Sequence, residues 1–140
     1  MASLHPQLEQ DCIQIGNFPL CRLLLVRDSN YPWFILVPDR EKVTELYQLS
    51  SDDQTRLMHE SCYLSEELAR NFNADKMNVA AIGNLVPQLH IHHVVRYEND
   101  IAWPSPVWGK LPVKPYASGE LELLITKLKK MRLGNFSYCT

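Results

Sequence analysis

Gln88-Leu89-His90-Ile91-His92-His93-Val94-Val95-Arg96 places three imidazoles, an amide and a guanidinium within nine residues. Alternate side chains of a strand share a face. Gln88, His90, His92, Val94 and Arg96 therefore fall on one face, and Leu89, Ile91, His93, Val95 and Tyr97 on the other. The second set is mostly apolar, which marks it as the core side. Alternate residues lie about 6.6 Å apart along a strand, so His90 and His92 can reach one phosphate group, one attacking phosphorus and the other donating to an oxygen. A neutral imidazole is nucleophilic near pH 7 and its protonated form is a good donor. A covalent intermediate on His90 would split one difficult displacement into two easier ones. The attacking nitrogen must be the unprotonated one, so its ring partner needs an acceptor.

Two plainer readings compete. In the first the histidines share a surface by accident, since short motifs carry little information. They could also begin a zinc site, but zinc takes three or four protein ligands, His93 points the wrong way and no cysteine is near in sequence. No metal or cofactor is expected. His93 reads as a core-side histidine with a hydrogen-bond partner.

The elements that must hold this strand are legible as apolar runs and their punctuation. Arg22 to Arg27 and Trp33 to Val37 flank the turn cluster Asp28-Ser29-Asn30-Tyr31-Pro32 and read as a hairpin of buried strands, with Pro38 ending the second. A short helix is expected over Val43 to Leu49. A longer one starts at Ser51, where Ser51-Asp52-Asp53-Gln54 has the form of a capping box, and carries Leu57, Met58, Cys62, Leu68 and Phe72 on one face. Met77 to Ile82 reads as a strand, Gly83-Asn84 as a turn and Gln88 to Tyr97 as the next strand. Four prolines keep Asn99 to Pro115 irregular. A last helix spans Gly119 to Leu133, with Ser118 as its cap and Leu121, Leu124, Ile125 and Leu128 on its apolar face. Strands flanked by separate helices indicate an α+β domain with an antiparallel sheet.

With 140 residues and 46% hydrophobic content, the chain suits one domain able to fold without disulfides or metal. A net charge of −2 gives no general attraction to nucleic acid or an anionic membrane. No apolar run is long enough to span a bilayer. Cys12, Cys21, Cys62 and Cys139 form no CxxC pair, and the N-terminus lacks a basic flank and an apolar stretch, so a cytoplasmic protein with reduced thiols is expected.

The pattern Gln88, His90, His92, with Leu89, Ile91 and then His93-Val94-Val95 around them, resembles the signature of the histidine triad (HIT) family of nucleotide hydrolases and transferases. The match runs on to Arg96 and Asp100 and back through Gly83-Asn84 and Asn78, and the order of elements agrees. It covers residues 15–100 of a single domain over 1–140, with 101–140 as a C-terminal extension. The resemblance implies an antiparallel sheet of about five strands with one long helix and a C-terminal helix. It makes His90 the residue that carries the nucleotidyl group, while His92 contacts phosphate oxygens and assists the leaving group. Gln88 stands where the family has its first histidine. Its backbone carbonyl can still orient the nucleophile, but its amide cannot titrate. A fourth family histidine falls on Trp33.

By the same resemblance Asp28, or Arg27 beside it, meets the ribose hydroxyls, Asn78 and Asn84 line the nucleotide pocket, and Arg96 complements phosphate charge. Each has a plainer role: Asp28 as a turn residue, Gly83-Asn84 as a tight turn needing positive φ, Arg96 as a solvated strand end. The Trp103 to Gly109 loop could wall the pocket, meet a second subunit or be pinned by buried indoles. The implied partners are a purine nucleotide and a second copy of the chain. The implied reaction is hydrolysis or transfer at the α-phosphate of a nucleoside phosphoramidate or dinucleoside polyphosphate. The alternative is a nucleotide-binding module with little or no catalysis.

Overall fold

The computed structural model describes residues 2–139. A short helix α1 (Pro6–Asp11) leads into strand β1 (Cys12–Asn17), followed by β2 (Cys21–Val26) and β3 (Trp33–Pro38). Helix α2 (Ser51–Phe72), strands β4 (Lys76–Ala80) and β5 (Ile91–Arg96), helix α3 (Ser118–Lys129) and a two-residue strand β6 (Ser137–Tyr138) complete the chain. The strands form one six-stranded sheet in the order β4-β5-β3-β2-β1-β6, and every pairing is antiparallel. The α+β architecture and the β2–β3 hairpin are as expected. Strand β1, which pairs with β2, was not anticipated. No helix of the described residues is long and apolar enough to cross a membrane.

Capping sets the ends of α2. Ser50, not Ser51, is the N-cap, its hydroxyl accepting from the Asp53 N–H at 3.1 Å. Asn73 ends the helix in the left-handed conformation at φ 51°, which asparagine tolerates. The helix lays Leu57, Leu64 and Leu68 on the sheet, whereas Met58 and Cys62, expected on that face, are exposed. The segment from Val43 to Leu49 contains only a single 3₁₀ turn at Leu46–Gln48. Helix α3 is capped by Ala117 rather than Ser118 and ends four residues before Leu133.

One sheet face packs on α2 and α3 through Leu23, Leu25, Phe34, Leu36, Ile91, Val95 and Leu128. The opposite face, which sequence patterning leaves to solvent, is also covered. Leu4, Leu8 and Cys12 pack on Leu24, Ile35 and Val37 at one end. Ala102 and Val107 pack on Tyr31 and Val94 at the other, with Trp33, Trp108 and Leu111 around them. All six residues of β5 are consequently buried, and buried positions extend beyond residues 15–100 in both directions.

Arg96 pins the second cover. It is 1% exposed and sends Nε and Nη2 to the two oxygens of Asp100, at 2.8 and 3.1 Å, and Nη1 to Asn78 Oδ1 on β4 at 2.8 Å. Asp100 also accepts from the Tyr97 and Ala102 N–H groups. The guanidinium lies over the Tyr31 and Trp103 rings at 5.7 and 5.4 Å. Burial pushes the Asp100 carboxyl upward, but Arg96 and the Tyr97 and Ala102 N–H groups together outweigh it and hold the group below its usual range. The expectation that Arg96 is a solvated or phosphate-facing cation is corrected: its charge is matched inside the fold. Asp100→Ala strands that charge and is expected to cost about 3–5 kcal/mol. Denaturant unfolding measures this, and a loss below about 1 kcal/mol would contradict the role given to the pair.

Candidate functional site

His90 and His92 stand on the covered face, between the N-terminal segment and the tryptophan loop. Strand β5 begins only at Ile91: its pairing with β4 stops at His92, opposite the last residue of β4, Ala80, and its pairing with β3 stops at Ile91 opposite Leu36, two residues short of the end of β3. Gln88 to His90 therefore precede the strand instead of forming its first turn of the pleat. The Leu89 N–H donates to the Val43 carbonyl, and His90 turns back on its own chain.

The two imidazoles hold opposite tautomers. His90 Nδ1 lies 2.7 Å from the Gln88 carbonyl, a bond that requires the proton on Nδ1 and leaves the lone pair on Nε2. Trp33 Nε1–H donates to His92 Nδ1 at 3.0 Å, which puts the His92 proton on Nε2, where it meets the Ile82 carbonyl at 3.2 Å. The ring centroids are 4.9 Å apart. One ring thus presents a nucleophilic lone pair and its neighbour presents an N–H donor. Burial, reinforced by His90, pushes the His92 pKa down to about 4. His92, which the sequence resemblance makes the residue that assists the leaving group, is thus a neutral hydrogen-bond donor. His93 faces the opposite side and is fully buried, with Nδ1–H on the Ile91 carbonyl and Nε2 accepting from the Ser61 hydroxyl at 2.7 Å.

His90 borders two cavities. The larger, about 430 Å³, also reaches His92 and is walled by Leu8, Cys12, Val26, Ile35, Val86 and Val113, with Asp28 and Arg27 on its lining. An apolar slot with a few polar groups is the usual form of a small-molecule site. Cys12 supplies no thiolate there, because burial raises its pKa to about 12. The second, about 300 Å³, is lined by Thr44, Glu45, Gly83, Asn84 and Gln88 among others. Gly83 permits this closeness: a Cβ there would sit 2.8 Å from the Val86 carbonyl oxygen and 3.4 Å from His90 Cε1. Neither Gly83 nor Asn84 has a positive φ, so the tight-turn reading of this pair is replaced by close approach to the imidazole.

The remaining sequence candidates divide. Asp28 lines the His90–His92 cavity, and its Oδ1 accepts from the Asn30 and Lys114 N–H groups. Asn84 lines the smaller cavity with His90. Asn78, expected in the pocket, sits on β4 as the acceptor for Arg96, and lines neither cavity. Trp108 backs His92 at 5.4 Å between ring centroids and meets Trp33 at 6.1 Å, so this loop is pinned by its indoles, and it lines neither cavity. Sequence reasoning missed the Ile82 carbonyl, Thr44, Glu45 and the apolar wall from Leu8 and Cys12. Among the described residues, no group of three His, Cys, Asp or Glu side chains is arranged to hold a metal.

The neutral histidines have a consequence for pH dependence. Burial holds both His92 and His93 near pKa 4, against 6.5 for an exposed imidazole. Between those values the unfolded chain binds more protons than the folded one, so stability is full above pH 6.5 and falls as the pH drops toward 4. Each imidazole is expected to remove up to about 3 kcal/mol across that window. Urea unfolding at stepped pH measures the slope, and the ring-proton shifts of His92 and His93 should stay flat down to about pH 5. A midpoint above pH 6 for either ring would overturn this assignment.

Residues 7–99 match the HIT domain family. Three solved structures align over 91% of this chain with a TM-score of 0.88 each. They are histidine triad proteins from Marinobacter aquaeolei VT8 (48% identity, 93% of that chain covered), Bradyrhizobium japonicum (42%, 96%) and Sinorhizobium meliloti 1021 (37%, 95%). No curated protein sequence matches. The match spans most of the chain and includes both imidazoles and the cavity they share, and the chain belongs to the histidine triad (HIT) family of nucleotide-binding proteins.

Proposed function

We propose that the protein hydrolyses or transfers at the α-phosphate of a purine nucleoside phosphoramidate or dinucleoside polyphosphate, with His90 as the nucleophile. The observation that carries this reading is the Nδ1–H bond from His90 to the Gln88 carbonyl, which leaves Nε2 unprotonated where two cavities meet. The nucleoside takes the larger, apolar cavity, with the Asp28 carboxylate as acceptor for ribose hydroxyls. In the first step His90 Nε2 bonds to phosphorus as the bond to the leaving group breaks, and the leaving group takes a proton from solvent. Water then attacks the same phosphorus, His90 departs, and a nucleoside monophosphate and a proton are released. The His92 Nε2–H, now on the Ile82 carbonyl, turns to a phosphate oxygen as negative charge builds there.

The smaller cavity, on the leaving-group side, has the carboxyl side chain of Glu45 and no Lys or Arg in its lining. A polyphosphate tail meets no counter-charge there, so phosphoramidates with an uncharged or cationic leaving group are the better substrates. The same reading includes a cytoplasmic homodimer, supported by the free cysteines and by the family.

His90→Ala is expected to lower turnover of adenosine phosphoramidates by at least about 10³-fold. Quenching wild type with radiolabelled substrate should leave an acid-labile, base-stable label that the variant lacks. Unchanged turnover in His90→Ala would end the proposal. A second reading, a nucleotide-binding module with little catalysis, is favoured by one observation: burial, reinforced by His90, keeps His92 neutral, and Trp33 occupies its Nδ1, so the ring is a hydrogen-bond donor and not an acid. It expects mononucleotide binding by calorimetry and no label on His90. The leaving-group argument is checked separately, by comparing kcat/KM for an adenosine phosphoramidate and a dinucleoside tetraphosphate. Glu45→Gln should narrow the difference.

A further inference from the structure

The side chain of Gln88 makes two hydrogen bonds that resemble those of a neighbouring strand. Its Oε1 accepts from the His5 N–H at 2.7 Å, and its Nε2 donates to the Ser3 carbonyl at 3.0 Å. An amide can do both at once, whereas a carboxylate has no donor and a thioether has almost no capacity for either. The partner segment is firmly seated. Leu4 and Leu8 are buried against Leu24, Ile35 and Val37, the Ala2 N–H donates to Asp39 Oδ1 at 2.5 Å, and Arg22 donates to the Ala2 carbonyl. Residues 81–85, in contrast, are exposed and pair with no strand. Gln88 thus joins a fixed segment to an exposed loop, and the carbonyl of the same residue holds His90 Nδ1–H.

We propose that Gln88 is a positioning residue: by clamping Ser3 and His5 it fixes its own carbonyl, and so sets both the orientation and the tautomer of His90. The N-terminal segment is then a working part of the site, and it also contributes Leu8 to the wall of the larger cavity. Releasing the clamp lets the carbonyl swing, and the ring samples the tautomer with its proton on Nε2, which cannot attack phosphorus. The consequence for turnover rests on the reading of His90 as nucleophile. The consequence for tautomer and for docking of the segment does not.

The test uses full-length protein carrying Gln88→Met, which keeps the length and removes both bonds, and Gln88→Glu, which keeps the acceptor and removes the donor. Leu4→Ala loosens the platform without touching Gln88. Leu64→Ala, in the core on the opposite sheet face, controls for lost stability. In wild type, nitrogen-15 spectra of His90 should show the Nδ1–H tautomer dominant. In Gln88→Met and Leu4→Ala the two tautomers should mix, the His5 amide should exchange faster, and kcat should fall between about 10- and 100-fold with KM little changed. Gln88→Glu, which keeps the His5 bond and loses only the Ser3 bond, should keep the His5 amide protected and show a smaller change in tautomer and kcat. Leu64→Ala should keep the wild-type tautomer despite its lower stability. The clamp is overturned if the His5 amide exchanges freely in Gln88→Met while His90 keeps its tautomer, or if the His5 amide stays protected in that variant. A wild type that shows the expected tautomer yet turns over no nucleotide leaves the clamp standing and removes only the hydrolase reading.

Discussion

A guanidinium buried to 1% exposure has to be answered on every side, and the way Arg96 is answered organises the functional face of the sheet. Its partners come from three places: Asn78 on β4, Asp100 in the following turn, and the Tyr31 and Trp103 rings from segments that would otherwise have no reason to meet. Asp100 in turn fixes the Tyr97 and Ala102 N–H groups, which starts the irregular segment on its path back across the sheet. That path delivers Trp108 to His92 and brings the Lys114 N–H to the Asp28 carboxylate. Both the indole behind His92 and the acidic residue of the cavity are therefore held by a charge that lines neither cavity.

Between the two covers, the environments of His90 and His92 divide one kind of side chain into two kinds of group. The carbonyl of Gln88 selects one tautomer and the indole of Trp33 selects the other. Two identical rings 4.9 Å apart could compete for the same proton. Here a backbone acceptor and an indole donor, neither of which titrates, fix where each proton sits. The N–H that His92 presents then follows from geometry over the range in which that ring stays neutral.

The sequence discloses features set locally and misses those set by distant partners. The hairpin of β2 and β3 is legible because apolar runs bounded by a turn cluster have few other uses, and α2 because hydroxyl and acidic residues mark its start. The place where β5 begins is not legible, since it depends on how far β4 and β3 stay paired with it. His93 could be assigned to the core by period alone, and Ser61 completes it as a buried, paired imidazole. Arg96 was misread because an arginine at a strand end is ordinarily solvated, and nothing local announces that loop residues will bury it. Gln88 was legible as a carbonyl donor-holder for His90, but the use of its side chain depends on Ser3 and His5, more than eighty residues away.

Trp33 shows how a partner that does not titrate fixes a histidine. A titrating group beside His92 would protonate in the same pH range as an exposed imidazole, and the tautomer of His92 would then vary with pH. An indole has a single donor and no acceptor, so His92 can only accept at Nδ1 and donate from Nε2. Burial of that ring against Trp33 and Trp108 adds desolvation, which keeps it neutral. The same burial that removes His92 as a proton source strengthens it as a dipole, because an N–H held in a water-poor cavity acts on nearby charge more strongly than one in water. Fixed polarity beside a fixed lone pair is the property that the two covers and their anchors, Arg96 on one side and Gln88 on the other, jointly maintain.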